Sequence, residues 1–524
     1  MVAPVHLNRP ESLHMSYRLY SLSKVHATHL GQTGLWVATI LVLAGCTTVG
    51  PDFKQPAPPS VAGYTAQEIP LQTAATPNVL LGGSQHFVSG QSIPAYWWQN
   101  FGSSQLNALV NQALQASPSL AAAQATLRQA QQSYAAKAGS SRYPQVDANL
   151  SAQRQRTTNA NFGQRESART FDLYNAGIAV RYNLDLFGGN QRALEALAAQ
   201  ADYQRYQLTG ARLTLAANIV TAAMTQAQYA AQINATEAIL AVQQSQVDIA
   251  HKRFQLGAIA RGDELSLQTQ LEQTRAGLPP LRNQLQQINH LLALLVGEAP
   301  GAAKIPLFSL SDFTLPADIP LLVPSELVRQ RPDIQASEAL LRASNAGYGV
   351  AISKSYPQIN LSATLGTQAL AASSLFGSGS LIWGLVGQLA QPLFDGGLQA
   401  GVNSAQASLD AAAANYQESV LQGLRNVADV LRALDNGAQT LQAQAAANVA
   451  AQAALDLVQQ QYQLGSVSYL QLLTAQQQVQ QTRINLITAQ TQRLTNTAAL
   501  YQALGGGWTN TTHEIAAQAP LNIN

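Results

Sequence analysis

The only cysteine in the chain, Cys46, occupies a position that suggests covalent chemistry. It follows Leu43, Ala44 and Gly45, and the apolar run LWVATILVLA ends at Ala44. A lone cysteine forms no disulfide within its own chain, so the thiol is free for a different covalent modification.

The apolar run before Cys46 has the length of the hydrophobic region of a signal peptide and is too short to span a bilayer. Arg18 and Lys24 supply the positive flank. LAGC resembles the lipobox of bacterial lipoproteins, in which the cysteine becomes the lipidated first residue. We therefore expect removal of residues 1–45 and acylation of Cys46, for example by palmitate. The alternative is a buried free cysteine beside an ordinary cleavage site. Because this leader is long, Met15 is an alternative start to Met1.

Thr47 follows the cysteine, where an aspartate would be a sorting signal. For a lipoprotein, the lack of that aspartate implies transport to the outer membrane. We expect a lipid-anchored protein of the Gram-negative outer membrane with a periplasmic domain.

The other residue types that support catalysis or metal binding are scattered. Four of the eight histidines precede Cys46, and the other four, His86, His251, His290 and His513, are far apart. We find no metal-ligand spacing, P-loop or G-x-S-x-G motif. We expect no enzyme activity and no cofactor other than the covalent lipid on Cys46. The RGD tripeptide from Arg261 to Asp263 is interpreted as a chance occurrence.

The charge of the chain argues against a nucleic-acid partner. Charged residues make up 11% of the sequence, and the formal net charge is +2. The leader accounts for this excess, through Arg9, Arg18, Lys24 and Glu11, so the remainder is close to neutral. A neutral chain has no long-range attraction to phosphate backbones.

The two halves of the sequence repeat each other. RFQLGAIARGDELSLQTQLEQTR, residues 253–275, aligns without gaps with QYQLGSVSYLQLLTAQQQVQQTR, residues 461–483. YPQVDANLSA from Tyr143 similarly matches YPQINLSATL from Tyr356. We interpret the chain as a tandem duplication of a unit of about 200 residues.

Each half is predicted to contain a helix, two strands, a long helix and a further helix. In repeat 1, residues 104–296, the strands are expected at 143–156 and 169–187 and the later helices at 190–255 and 265–296. In repeat 2, residues 325–505, the strands are expected at 356–370 and 381–394 and the later helices at 398–464 and 470–505. The lipid-anchored tail 46–103, the linker 297–324 and the C-terminal tail 506–524 are expected to form an equatorial belt.

The predicted lengths indicate a tall wall of helices. A helix over residues 190–255 would be about 100 Å long, and the two shorter helices of the same repeat could stack end to end beside it. Apolar residues recur every seven positions in this segment, as in a coiled coil, at Ile233, Leu240, Val247 and Phe254. A solvated coiled-coil rod would explain the helices equally well, but it would not explain the strands.

The strand segments alternate apolar and polar residues. In one example, Val146, Ala148 and Leu150 alternate with Asp147 and Asn149. A transmembrane barrel strand and an ordinary half-buried antiparallel strand both show this period of two. Aromatic residues at the strand ends nearest the helices favour a membrane barrel with an interface girdle; these are Tyr143, Phe187, Tyr356 and Phe394. Four strands cannot close a barrel with a lumen, so we expect a homotrimer with twelve strands.

Three further segments carry a family resemblance. They begin YWWQNFGSSQLNALVNQALQ at residue 96, RQRPDIQASEALLRASNAGYGV at residue 329 and YQALGGGW at residue 501. They resemble the outer-membrane factors of tripartite efflux systems, the TolC-like, NodT-type lipoproteins. This resemblance implies a membrane α+β fold, a trimeric 12-stranded barrel continued by a periplasmic helical coiled-coil barrel.

The resemblance also implies partners and a function. The partners would be a periplasmic adaptor (membrane fusion) protein, an inner-membrane RND-type transporter and outer-membrane lipid. The protein would be an exit duct for small molecules such as drugs and metabolites. A duct for type I secretion or oligosaccharide export is the alternative. A periplasmic adaptor would have a single hairpin, and an envelope enzyme would need a catalytic constellation, so both are less consistent with this sequence.

In this family the tips of the helical hairpins form the periplasmic gate and the adaptor contacts. The adaptor-contact residues would be Leu256, Gly257, Leu464 and Gly465, where glycine lets the chain reverse. Many relatives close the gate with an acidic ring on the second tip, but this sequence has Gln471 and Thr474 there. Leu470 could form an apolar constriction instead. The other gate candidates are Asp263 and Glu264 on the first tip, which could equally be solvated acids at a helix start.

Overall fold

The computed structural model describes residues 48–61, 63–157 and 168–507. The predicted leader, the lipidation residue Cys46 and most of the predicted C-terminal tail lie outside the described residues.

The described chain is rich in helix and has one larger sheet. The helices are α1 (Ser104–Ala116), α2 (Pro118–Arg142), α3 (Gly189–Gln255), α4 (Arg261–Leu295), α5 (Pro324–Gln330), α6 (Pro332–Ser353), α7 (Gly396–Gln463) and α8 (Tyr469–Ala503). The strands are β1 (His86–Ser89), β2 (Gln145–Thr157), β3 (Arg169–Leu184), β4 (Asp318–Leu321), β5 (Gln358–Ala369) and β6 (Leu381–Ala390). Short 3₁₀ helices occur at Trp97–Phe101, Leu310–Asp312 and Ala372–Ser374.

A proline divides the helix predicted at the start of each half. α1 ends before Ser117 and α2 begins at Pro118, while α5 ends before Arg331 and α6 begins at Pro332. Ser117 and Arg331 have extended backbone angles. Proline has no N–H for the helix and disfavours helical angles in the residue before it, so it starts a new helix.

The two long helices, α3 and α7, contain 67 and 68 residues, which corresponds to about 100 Å each. Helix α3 packs against α2, α4, α6 and α8, and α7 packs against α6 and α8. Among the described residues, none of the helices has the combination of length and apolar character needed to cross a membrane.

The main core lies at the middle of the long helices. There, Leu213–Ala227 of α3 and Val427–Leu434 of α7 contribute buried side chains. The segment before α1 adds Trp97, whose ring stacks on that of Tyr501 with centroids 5.4 Å apart. Strand β1 pairs in parallel with β4, so the N-terminal segment and the segment between the halves are joined by backbone hydrogen bonds.

Strands β2, β3, β5 and β6 form an antiparallel sheet in that order. The register places Ala148 opposite Ile178, Ile178 opposite Leu365, and Leu365 opposite Trp383. Paired residues point to the same side, so the alternating apolar residues of β2, β3 and β5 share one face, called here the apolar face. Strand β6 adds Leu381, Trp383, Leu385 and Leu389 to this face. The other side, the polar face, carries pairs such as Asn183 with Asn360.

The sheet has no covering layer among the described residues. On the apolar face the exposed fractions are 79% for Leu150, 77% for Trp383 and 75% for Leu385. Within the described part of the chain, β2 and β6 each pair with a strand on one side only. The apolar face and both edges therefore need partners beyond the described residues.

Candidate functional site

The apolar face is tall enough for the hydrocarbon region of a membrane. On β3 it runs from Leu184 near the helices to Tyr174 near the far end, through every second residue. Ten residues of strand span about 33 Å, which becomes about 25 Å in height at the usual tilt of barrel strands. This height equals that of the apolar band of outer-membrane barrels.

Aromatic side chains lie between the sheet and the helices. The rings of Phe187 and Tyr356 have centroids 4.9 Å apart. Tyr143 and Phe394 are exposed at the same end of the sheet. Outer-membrane barrels carry girdles of aromatic residues at the membrane interfaces, so the sheet and helices meet at the expected height of the membrane surface.

The segment that follows Cys46 is fastened at this same junction by Arg192, near the start of α3. The guanidinium is buried and donates hydrogen bonds to the backbone oxygens of Val49 and Gly50, both at 3.2 Å. It also pairs with the carboxylate of Asp52 at 2.7 Å. Charge-assisted hydrogen bonds are the strong ones in proteins, so Arg192 acts as a clamp on this segment.

Further contacts extend the clamp. The Val49 N–H donates to the oxygen of Phe187 at 3.1 Å, and Asn345 donates to the oxygen of Pro51 at 2.9 Å. Gly50 has a φ of +87°, and a Cβ there would lie 2.7 Å from the Cα of Gly349. Only glycine suits that position. The chain from the third residue after Cys46 onward is thereby held beside the expected membrane surface.

The first hairpin tip joins α3 to α4 and is stabilised by Glu264. Its side chain is only 7% exposed and its carboxylate contacts His251 Nδ1 at 2.8 Å and the Arg261 guanidinium. The hydrogen bond with His251, followed by the bond and charge of Arg261, lowers the pKa of Glu264 below its usual value. The carboxylate of the gate candidate Glu264 thus binds partners within its own hairpin. The neighbouring gate candidate Asp263 is half-buried.

The second hairpin tip joins α7 to α8, and its gate candidates differ in exposure. Leu470 is 69% exposed. Gln471 accepts a hydrogen bond from the Ser468 N–H at 3.0 Å in a capping box, and Thr474 donates to the oxygen of Leu470 at 2.9 Å. Gln471 and Thr474 therefore make hydrogen bonds within the start of α8, whereas the apolar side chain of Leu470 is exposed.

The two hairpins contact each other near their tips through apolar packing and through a hydrogen bond that Gln477 donates to Gln270 at 2.6 Å. Ala250 and Leu267 of the first hairpin form one buried cluster with Tyr469 and Leu472 of the second. At the outermost points of the tips, Leu256 and Leu464 are 84% and 83% exposed. They precede Gly257 and Gly465, which have φ values of +72° and +73° and turn the chain.

Sequence reasoning missed Arg192, His251 and Tyr469. Arg192 also pairs locally with Glu195, but its partners in the clamp lie about 140 positions away in the sequence, so no local pattern marks that role. His251 faces Glu264 across a helix turn and a loop, a separation of 13 positions that has no standard motif. Tyr469 resembles any aromatic residue at a helix start until the other hairpin packs on it.

The pKa of Glu264 is lowered in the folded tip, so the ionised carboxylate should stabilise the tip at neutral pH. This stabilisation should be lost as the pH falls below the usual glutamate pKa of about 4.3. A nitroxide attached at Ala258→Cys should be restrained at pH 7 and gain mobility below about pH 4. In Glu264→Gln it should be mobile at both values.

Glu272→Gln is the matched control, since Glu272 forms an exposed pair with Arg275 on the same helix. This variant should keep the wild-type pH response. A wild-type response in Glu264→Gln would contradict the assignment of the carboxylate to tip order.

The fold and the exposed sheet can be compared with known proteins. Residues 109–298 and 323–506, more than half of the chain, match the family described as "Outer membrane efflux protein". The chain is 28% identical over 480 residues to the cation efflux system protein CusC of Escherichia coli O6:H1, covering 89% of this chain and 97% of that protein. It is 29% identical over 478 residues to the outer membrane protein OprJ of Pseudomonas aeruginosa, covering 91% and 96%.

A solved structure of the outer-membrane channel OprN is similar in fold, with a TM-score of 0.79 at 28% identity, covering 88% of this chain and 100% of that one. The resemblance inferred from the segments at residues 96, 329 and 501 is thereby confirmed, and the chain belongs to the outer membrane efflux protein family.

Proposed function

We propose that three copies of this chain form a twelve-stranded barrel in the outer membrane, continued by periplasmic helices, and that this tube is the exit duct of a tripartite efflux pump. The observation that carries the proposal is the four-stranded sheet, which has one apolar face without cover and two edges without a paired strand among the described residues. Efflux across the outer membrane is the function to which the family and its named relatives point.

The number of copies follows from the edges. Hydrocarbon cannot satisfy the N–H and C=O groups of β2 and β6, so the edges must pair with each other between copies. Two copies would give eight strands and an interior filled by side chains, whereas three give twelve strands and leave a lumen. The polar face, with Asn183 and Asn360 in hydrogen-bond contact at 2.8 Å, would line that lumen.

The partners proposed for this duct are a periplasmic adaptor protein and an inner-membrane transporter of the RND type. The exposed tips around Leu256, Gly257, Leu464 and Gly465 would contact the adaptor. Small molecules such as drugs and metabolites are the proposed cargo. A polar lumen would need little selectivity of its own when a pump selects the cargo.

The barrel predicts opposite outcomes for adjacent residues of β5. Leu361→Arg would place a charge in hydrocarbon and should cost about 2 to 4 kcal/mol near the middle of the membrane. Asn360→Arg would place the same charge in the lumen and should be tolerated. After refolding into lipid vesicles and extraction, native mass spectrometry should detect three chains for the wild type and Asn360→Arg, and little trimer for Leu361→Arg.

A stable wild-type monomer or dimer would contradict the trimer. Equal yields for the two variants would contradict the assignment of the faces.

We also propose that Cys46 carries the lipid anchor. Support comes from Arg192, which holds the residues just after Cys46 at the junction of sheet and helices, where acyl chains could enter the inner leaflet. Mass spectrometry of the mature protein should find diacylglyceryl or triacylated Cys46 as the first residue. An unmodified Cys46 would refute this proposal.

The clamp itself can be tested with Arg192→Ala, which should speed tryptic cleavage after Lys54 roughly tenfold because charged hydrogen bonds are lost. Arg205→Ala, a change in an exposed arginine of the same helix, should leave the rate unchanged.

For the closed state we propose an apolar gate at Leu470. Three exposed copies of this side chain meeting near the axis would exclude water from the pore, as hydrophobic constrictions do. In planar bilayers, Leu470→Ser should raise the conductance well above that of the wild type, and Gln471→Ala should change it little. If Asp263→Asn raises the conductance and Leu470→Ser does not, the seal is electrostatic and lies on the first tip.

A further inference from the structure

Two arginines lie on the apolar face at the end of β2 that is far from the helices. Arg154 and Arg156 have the same alternation as Val146 and Leu150, so their side chains point to the same side of the sheet. The register supports this placement, since Arg154 is opposite Asp172 and Arg156 is opposite Thr170.

The arginines begin where the apolar band ends. The last apolar pair on this face is Ala152 opposite Tyr174, about 25 Å in height above Leu184 at the usual strand tilt. Beyond this pair the pattern reverses, because Leu173 and Phe171 lie on the polar face. This reversal indicates that the lipid-facing apolar band ends at Tyr174. We place the boundary between hydrocarbon and headgroups at this residue.

At this height an arginine on the lipid face has a low free-energy cost and can reach the headgroups. On the lipid face of a barrel, arginine costs about 2 to 4 kcal/mol at the midplane but only about 0 to 1 near the interface. The long side chain can also extend along the surface toward the headgroups. At this position the two arginine side chains can contact the polar part of the lipid.

Among the described residues, the charge of the two arginines is only partly neutralised. Arg154 Nε lies 3.7 Å from a carboxylate oxygen of Asp172, beyond hydrogen-bond distance, and the two side chains are 77% and 43% exposed. Arg156 has no carboxylate within ion-pair distance in the part of the chain that the structure describes. Two guanidiniums and one carboxylate leave one net positive charge and several free N–H donors.

We propose that Arg154 and Arg156 bind the phosphate group of a lipid headgroup in the outer leaflet. Guanidinium forms paired hydrogen bonds with phosphate oxygens, and two such groups on one face match a phosphorylated glycolipid better than a neutral headgroup. The site rests on the proposed barrel. Because β2 is an edge strand, each of the three sites would lie next to a subunit boundary.

The test measures binding of bis-phosphorylated lipid A to trimers purified in detergent, by native mass spectrometry. Arg154→Gln/Arg156→Gln should weaken binding about tenfold, the effect of losing charge-assisted hydrogen bonds. Arg169→Gln is the matched control, because Arg169 lies at the same end of the sheet on the polar face, opposite Thr157. It should bind lipid A as the wild type does.

Two further ligands identify the source of the phosphate. Dephosphorylated lipid A should bind the wild type and the double variant equally weakly, and inorganic phosphate should displace lipid A poorly. Equal lipid A affinity in the double variant and wild type overturns the proposal. So does a wild-type advantage that persists with dephosphorylated lipid A, or displacement by inorganic phosphate at concentrations equal to the lipid.

The same spectra report the number of chains. Wild-type trimers whose lipid A binding is insensitive to the substitutions would refute the lipid site and leave the barrel intact. Absence of wild-type trimers would refute the barrel and, with it, the site. If the double variant does not assemble, Arg156→Gln alone, which keeps Arg154 beside Asp172, should still weaken lipid A binding about threefold.

Discussion

An open sheet edge in hydrocarbon leaves a row of N–H and C=O groups without hydrogen bonds, and this cost governs the rest of the structure. The described chain has two such edges, on β2 and β6, and one bare apolar face. Under the proposed assembly, edge pairing between copies sets the number of strands, and the helices continuous with those strands follow the same symmetry. The long polar helices then enclose the pathway that the strands begin.

In the proposed barrel, side chains at the junction between sheet and helices would fix the height of the molecule in the membrane. Phe187 and Tyr356 pack ring against ring there, and Arg192 holds the segment after Cys46 at the same height. At the other end of the apolar face, Tyr174 is followed by Arg154 and Arg156 on the neighbouring strand. The apolar band thus has aromatic side chains at one end and cationic side chains at the other, which in the proposed barrel would resist vertical displacement.

At the hairpin tips, polar and apolar interactions have different roles. The bonds of Glu264 with His251 and Arg261 remain within the first hairpin, whereas Tyr469 and Leu472 pack across to Ala250 and Leu267 of that hairpin. Apolar packing tolerates sliding better than directed hydrogen bonds. In the proposed gate, each hairpin would stay internally ordered while this packing changes and the hydrogen bond from Gln477 to Gln270 breaks.

The sequence by itself determined the family, the efflux function and the alternation that leads to the sheet, because periodicity and the segments at residues 96, 329 and 501 are local features. It also marked the tip glycines, where helices must reverse. Only the tertiary structure decided the strand order and register, the division of helices at Pro118 and Pro332, and the partners of Arg192 and Glu264. The physical reason is that these depend on contacts between residues far apart in the chain, and local patterns of residue type do not record such contacts.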